Sequence, residues 1–255
     1  MSQTLEEIQD YWTRRASGFS EAVAEELGNS SGKKWGTYFR ELFPKPCKIL
    51  DLGAGAGFFT MILASLGHDV TAVDYSIGML EKIKENIGKA DVTAKIFRMD
   101  AQNLDFQNES FDAVVSRNVF WNLEKPEQAY NEVFRVLKPG GTLVIVDGNF
   151  YLHHHNEKYA KAREVFKSRV MQREHSNGHI RFNRGEVDFS IIENIAAKKL
   201  PLSRIERPVW DFRVLTEVGF RDIHVTIHGN ELPMGFKIIA KKTEAKNGKL
   251  AAPVR

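Results

Sequence analysis

Ile49-Leu50-Asp51-Leu52-Gly53-Ala54-Gly55-Ala56-Gly57 runs a short apolar stretch directly into three alternating glycines. Pro44 and Pro46 stop the helical pattern before it, so residues 48–52 read as a buried strand. A strand that ends in glycines lets its backbone approach a ligand closely, at the carboxyl edge where open α/β sheets bind. A P-loop is excluded, because no Gly-Lys-Ser/Thr follows. The dinucleotide fingerprint needs its third glycine at position 58, which is Phe58; the third glycine here is Gly57. Asp74, seventeen residues past Gly57, ends the next predicted strand and can accept two ribose hydroxyls in either kind of nucleotide site.

Strands and helices alternate outward from this turn. A helix over residues 58–66 closes at Gly67 and leads to a strand over 69–74. Ser76 caps a helix with Met79, Leu80, Ile83 and Ile87 on one face, ended by Gly88. Strands follow near 93–99 and 111–116, then a helix over 127–137, the turn Lys138-Pro139-Gly140-Gly141 and a strand over 142–147. This pattern predicts a parallel sheet with helices on both faces. A helix over 210–218 and strands over 222–227 and 236–241, joined through Gly229-Asn230, add an antiparallel pair and bring the count to seven. Residues 1–45 carry only helical spacing, from Leu5, Ile8, Tyr11 and Trp12 to Phe19, Val23 and Leu27. No strand signal appears between Phe150 and Ser203, where Tyr159, Ala162, Val165, Phe166 and Val170 share one face of a helix over 156–174. The expected organisation is a helical lid (1–45), an α/β core (46–149 and 206–242), a helical insertion acting as substrate cap (150–205) and a flexible tail (243–255).

The G-x-G-x-G turn, with Asp51 ahead of it and Asp74 behind, resembles the class I S-adenosylmethionine-dependent methyltransferases. Further segments carry the resemblance in the family's order. Asp74-Tyr75-Ser76-Ile77-Gly78-Met79-Leu80 is similar to its D-x-S-x-x-M-L segment, and Asp100-Ala101 to the acid and small residue beside the adenine amine. Phe111 to Ser116 resembles its fourth strand. Leu137-Lys138-Pro139-Gly140-Gly141 matches a turn common in the small-molecule branch, which includes the ubiquinone/menaquinone-biosynthesis type. The likeness covers roughly residues 45–148 and implies a Rossmann-like, doubly wound, seven-stranded sheet, mostly parallel with an antiparallel last strand. It implies S-adenosyl-L-methionine as cofactor and S-adenosyl-L-homocysteine as product.

By that resemblance Asp51 and the backbone of Gly53, Ala54, Gly55 and Gly57 face the methionine end, and Asp74 with Tyr75 the ribose. Met79, Asp100 and Ala101 go to the adenine, and the carbonyls near Ser116 and Arg117 to the amino group. Tyr11-Trp12, Arg15-Ala16 and Phe19 resemble the W-x-x-R-A-x-x-Y segment that forms a lid over the cofactor, with Phe19 in place of the usual Tyr; Tyr11 joins the cofactor set. The ends of the fourth and fifth strands supply expected substrate contacts: Asn118, Phe120, Trp121, Asn149 and Tyr151. A sulfonium methyl is already activated, so catalysis rests mainly on alignment and desolvation, and a base is needed only if the acceptor must lose a proton. His153, His154 and Tyr151 are the candidates for that base. His153-His154-His155 are consecutive and cannot all face one ion, so no metal ligand set is assigned.

Composition narrows the partners. Lys plus Arg total 36 against 33 for Asp plus Glu. The tail from Lys241 holds five of the basic residues and one acid, so the body lies near −1. That balance, and the absence of an N-P-P-Y or D-P-P-Y tetrad at Asn118, argue against nucleic acid as partner. One cysteine, Cys47, excludes a disulfide framework and a thiolate zinc site. The polar, acidic start and the short apolar runs predict a cytoplasmic protein without a membrane span. A small-molecule substrate is expected; oligomeric state is not legible. Two other readings remain at this stage: a nicotinamide-dependent oxidoreductase, which Phe58 opposes, and a cofactor-binding module without turnover.

Overall fold

The computed structural model describes residues 2–165, 188–228 and 232–243. Two helices come first, α1 (Gln3–Gly28) and α2 (Ser30–Leu42). Ser2 caps α1 by accepting the Leu5 N–H at 3.1 Å, and Asn29 caps α2 through the Ser31 N–H. The core then alternates: β1 (Lys48–Leu52), α3 (Phe58–Ser65), β2 (Asp69–Asp74), α4 (Ile77–Lys89), β3 (Lys95–Arg98), β4 (Phe111–Arg117), α5 (Pro126–Val136) and β5 (Leu137–Gly148). Residues 157–165 form the described part of α6. It is followed by α7 (Ser190–Lys199), α8 (Val209–Val218), β6 (Phe220–His228) and β7 (Gly235–Lys242).

The seven strands order as β3-β2-β1-β4-β5-β7-β6. β1 pairs in parallel with β2 and β4, and β5 with β4, while β7 runs against both β5 and β6. The order reverses between β1 and β4, and the crevice outside their carboxyl ends is where such a sheet binds. Successive residues alternate between the two faces. Leu50, Val114 and Ile145 join the apolar cluster under α5 and α8, whereas Ile49, Val115 and Val144 join the cluster under α1, α2 and α3. With both faces covered, the strands read as continuous apolar runs.

The face expected on the insertion helix is only partly inward. Tyr159 is buried and Ala162 half-buried, but Val165 is half exposed, because α6 has nothing described beside that position. Phe166, Val170 and the 229–230 turn lie outside the described residues, as does the tail from 244. His224 is exposed on the edge strand β6. A smaller apolar cluster joins Ile8 and Tyr11 of α1 to Ile192, Ile195 and Ala196 of α7. α1 and α7 therefore pack on each other.

One buried ionic network ties these layers together. Arg207 is fully buried; its guanidinium donates to Asp147 Oδ2 at 2.8 Å and to Asp211 at 2.6–3.0 Å, and the Phe236 ring lies 4.9 Å away. Asp211 also accepts the Tyr130 hydroxyl, which raises that hydroxyl's pKa further beyond what burial already does. Deleting one partner of such a set strands the remaining charges without water. Arg207→Ala should lower the unfolding free energy by about 3–5 kcal/mol. A chemical-denaturation midpoint within error of the parent would refute that role.

Candidate functional site

The floor of the site is the turn after β1. Gly53 and Gly55 hold φ of +67° and +54°, a region that disfavours side chains. Space excludes them as well: a Cβ on Gly53 would lie 2.3 Å from Val119 Cγ2, and one on Gly55 3.1 Å from Phe19 Cε1. The Ala54 N–H donates to the Val73 carbonyl at 2.9 Å, fastening the turn to β2. Two carboxylates sit beneath. Asp51 is buried and accepts from Thr60 Oγ1 at 2.6 Å. Asp74 accepts the Gly55 N–H at 2.8 Å and the Ser76 N–H at 2.9 Å. Burial pushes the Asp51 carboxyl up to about 7, with the neighbouring Asp74 charge adding to the rise and the Thr60 bond opposing it. Burial raises Asp74 as well, against its backbone donors.

Above this floor opens a cavity of about 430 Å3, the size of a small-molecule cofactor site. One half is polar: Asp51, Gly53, Ala54, Gly55, Asp74, Tyr75, Met79, Asp100, Ala101 and Gln102 border it. Gln102 orients Asp100, donating from its backbone N–H at 2.9 Å and from Nε2 at 3.0 Å, while its Oε1 takes the Lys125 N–H at 2.6 Å. The other half is aromatic. Trp121 is the hub, with ring centroids 6.4 Å from Trp12, 5.8 Å from Phe150 and 5.1 Å from Tyr151. Its indole N–H donates to the Asn118 carbonyl at 2.8 Å, and its backbone N–H to Asp147 Oδ2 at 3.2 Å. The buried network of Arg207 thus reaches the cavity wall.

α1 closes the top. Its inward face, Leu5, Ile8, Gln9, Trp12, Phe19, Val23 and Glu26, borders the cavity. Glu26 accepts two bonds of 2.9 Å from Arg117, whose guanidinium lies 4.4 Å from the Phe58 ring. Arg98 bridges the other end, donating to the Tyr75 carbonyl and to Gln9 Oε1, each at 3.2 Å.

Of the residues expected at the site, Asp51, Gly53, Ala54, Gly55, Asp74, Tyr75, Met79, Asp100, Ala101, Arg117, Asn118, Trp121 and Tyr151 border one cavity. Others lie elsewhere, each for a visible reason. Tyr11 turns to α7 and packs on Ile192 and Ile195, leaving Trp12 to face inward. Gly57 sits under the turn, where a Cβ would meet Ile83 Cγ1 at 2.7 Å. Ser116 is buried and does not line the cavity; its hydroxyl donates to the Leu52 carbonyl at 3.0 Å, while the expectation there concerned its backbone carbonyl. Phe120 stacks on Tyr130 at 4.4 Å in the core. Asn149 binds the backbone of Arg207 and the Pro233 carbonyl at 2.7–3.0 Å. His153 and His154 border α7 rather than the cavity, close to Glu193. Gln9, Glu26, Gln102 and Val119 were not foreseen; the helical spacing of Gln9 and Glu26 with Trp12 and Phe19 carried the signal for two of them.

A glycine turn at the reversal point of a doubly wound sheet, with Asp51 next to last in β1 and Asp74 ending β2, defines a nucleoside-type cofactor site. The family model described as a methyltransferase domain matches residues 50–145. The demethylmenaquinone methyltransferase of Clavibacter sepedonicus is 40% identical over 100 residues, 39% of this chain and 40% of that protein. The chain therefore matches about two fifths of that relative's length. The phosphoethanolamine N-methyltransferase 2 of Haemonchus contortus, solved with S-adenosyl-L-methionine, is 17% identical with a TM-score of 0.62, over 93% of this chain and 60% of that one. The cyclase SpnF has the same fold at 14% identity and a TM-score of 0.59, over 84% of this chain and 83% of that one. Residues 50–145 of the α/β core are thus similar to a methyltransferase domain, and the whole sheet has the fold of S-adenosylmethionine-dependent methyltransferases.

The residues present fit that cofactor: the glycine turn, the buried Asp51 and the half-buried Asp74 and Asp100 border one cavity of the right size. Asp74→Ala should weaken cofactor binding by roughly 1.5–3 kcal/mol through loss of a charged acceptor, read by calorimetry on a variant with unchanged circular dichroism; unaltered affinity would refute its place in the site. Asp51 makes a second prediction without ligand. Its folded pKa of about 7 stands above the ordinary 3.8, so its contribution to stability is full below about pH 4 and lost as pH rises through 7. Asp51→Asn should therefore remove part of the fall in unfolding free energy between pH 5 and pH 8. Parallel stability curves for the two proteins would contradict this.

Proposed function

We propose that this chain transfers a methyl group from S-adenosylmethionine to a small-molecule acceptor by in-line displacement. The observation that carries the reading is one continuous cavity whose acidic half adjoins an aromatic half. Bound there, the cofactor supplies a methyl on a positively charged sulfur, so the protein has mainly to align and desolvate. Asp51 with the turn at Gly53–Gly55 would hold the methionine end, Asp74 the ribose, and Met79, Asp100 and Ala101 the adenine; Gln102 orients Asp100 for that role. Trp12, Trp121, Phe150 and Tyr151 would flank the apolar part of the acceptor and keep water from it. The lid of residues 1–45 and the insertion of residues 150–205 would enclose it, a role supported by the packing of α1 on α7.

Neither aromatic nor imidazole groups supply a ready base. Burial raises the Tyr151 hydroxyl well above its ordinary pKa, so it stays protonated and acts as a donor. Burial and the Arg163 guanidinium lower His153 to about 4, and its ring lies outside the cavity wall. An acceptor atom that is nucleophilic without proton loss to the protein suits this site best. The names of relatives agree with a small acceptor: one is a demethylmenaquinone methyltransferase and another, of Cereibacter sphaeroides, a phosphatidylethanolamine N-methyltransferase. Among the described residues no helix is long and apolar enough to cross a membrane, and a cytoplasmic enzyme is the reading we adopt. A nicotinamide enzyme is disfavoured because the Phe58 ring, packed beneath Arg117, stands where the fingerprint's third glycine would admit a pyrophosphate. One further reading is cofactor binding without methyl transfer, since one fold hosts many functions.

The test is S-adenosylhomocysteine release from the chain supplied with S-adenosylmethionine and a fractionated metabolite extract. Turnover with a small-molecule fraction is expected; cofactor binding with no turnover in any fraction would replace this proposal with the second reading. On the acceptor so found, Trp121→Ala should raise KM about tenfold with cofactor affinity unchanged, as loss of one aromatic wall predicts. An unchanged KM would remove Trp121 from the acceptor wall.

A further inference from the structure

We propose that His153, His154 and Glu193 form a separate site for one divalent transition-metal ion of the zinc class. His153 and His154 end the 3-10 turn Leu152–His154, and Glu193 lies in the first turn of α7. Consecutive histidines are not expected to share an ion in an extended chain. On this tight turn the two rings lie side by side, with centroids 4.1 Å apart, while His155 points away to the Ala197 carbonyl at 2.9 Å.

The distances fit an ion at the centre. Glu193 Oε1 is 3.3 Å from His153 Nε2 and 3.2 Å from His154 Nε2, and one ligand atom from each residue lies within 4.8 Å of the others. Zinc bonds of about 2.0–2.1 Å at tetrahedral angles put neighbouring ligand atoms about 3.3–3.4 Å apart. Two of the three edges are thus already formed. The outer partner is present as well: His153 Nδ1 lies 3.1 Å from the Phe150 carbonyl. With its proton assigned to Nδ1, the ring donates there and turns its Nε2 lone pair inward, the arrangement that orients metal-binding histidines.

Two imidazole nitrogens and a carboxylate converging in this way suit a cation. In the structure that place is taken by Arg163, whose guanidinium lies 3.3 Å from Glu193 Oε1 and 2.8 Å from His153 Nδ1, and closer still to His153 Nε2. The match is incomplete: a guanidinium only donates, and one of the two ring nitrogens it approaches, at 2.8 Å, is the Nδ1 beside the Phe150 carbonyl. A metal ion satisfies both imidazoles and the carboxylate together. Arg163 already borders the main cavity, so it has somewhere to go. Two nitrogens and one oxygen select the zinc class over hard cations, and three protein ligands leave a fourth position for water. An ion here would pin the turn that carries Phe150 and Tyr151 to α7. Metal binding at this turn does not require methyl transfer.

The test uses the full chain, stripped with chelator and titrated with Zn2+ by calorimetry and with Co2+ by visible absorption. One ion per chain is expected, with a Kd of about micromolar or tighter and a four-coordinate Co2+ spectrum. Glu193→Gln and His154→Ala, checked by circular dichroism, should each weaken binding at least about tenfold. Arg163→Ala should tighten it, because the competing cation is gone; no merely structural ion pair predicts that. The proposal is overturned if neither the parent nor Arg163→Ala binds saturably. It is equally overturned if Glu193→Gln binds as well as the parent, which would mean adventitious capture by the histidine run.

Discussion

The hydrogen bond from the Gly55 N–H to Asp74 Oδ2, 2.8 Å long, joins the turn after one strand to the acid that ends the next. It exists only because the turn takes up left-handed backbone at Gly53 and Gly55 and brings its amides over the sheet edge. The space freed by missing side chains is used at once: Val119 packs over Gly53, and Phe19 of the lid helix over Gly55. The turn therefore sets the height at which α1 lies and the depth of the cavity beneath it. Holding carboxylates there is costly, as the raised pKa values of Asp51 and Asp74 show. A cationic or hydroxyl-bearing ligand would relieve that cost.

The acceptor side depends on a different constraint. Asp147 ends β5 and divides its Oδ2 between the Arg207 guanidinium and the Trp121 backbone N–H. Asn149, two residues on, binds the Arg207 backbone and approaches the Tyr159 hydroxyl of α6 at 3.4 Å. Sheet, pocket wall, insertion and α8 thus converge on one buried arginine. Buried ion pairs are weak contributors to stability when compared with apolar packing, but they fix one arrangement of the elements that supply them.

Much of this was legible in residues 48–148. Apolar runs, glycine stops and the Ser76 cap mark local structure, and their period locates the sheet and the turn without tertiary information. Asp51, Asp74 and Asp100 were legible for the same reason: each lies within two residues of the carboxyl end of a strand at the binding edge. Legibility failed where a side chain's direction depends on a distant partner. Tyr11 and Trp12 are neighbours on one helix, and only α7 decides that Tyr11 faces it while Trp12 faces the cavity. Asn149 looked like a ligand contact because it follows a strand end, yet a residue near position 207 claims it. Val165 shared a helical period with Tyr159 but is half exposed. The adjacency of His153 and His154 argued against a common partner until the 3-10 turn laid their rings together against Glu193.

The central claim is that the cavity between α1 and the glycine turn holds S-adenosylmethionine. Calorimetric titration of the full chain with S-adenosylmethionine, S-adenosylhomocysteine and NADH, repeated on Gly55→Val, tests it most directly. One saturable site per chain is expected for the first two, with no heat from NADH and loss of binding in a variant that remains folded by circular dichroism. Saturable NADH binding, or undiminished S-adenosylmethionine binding by folded Gly55→Val, would contradict it.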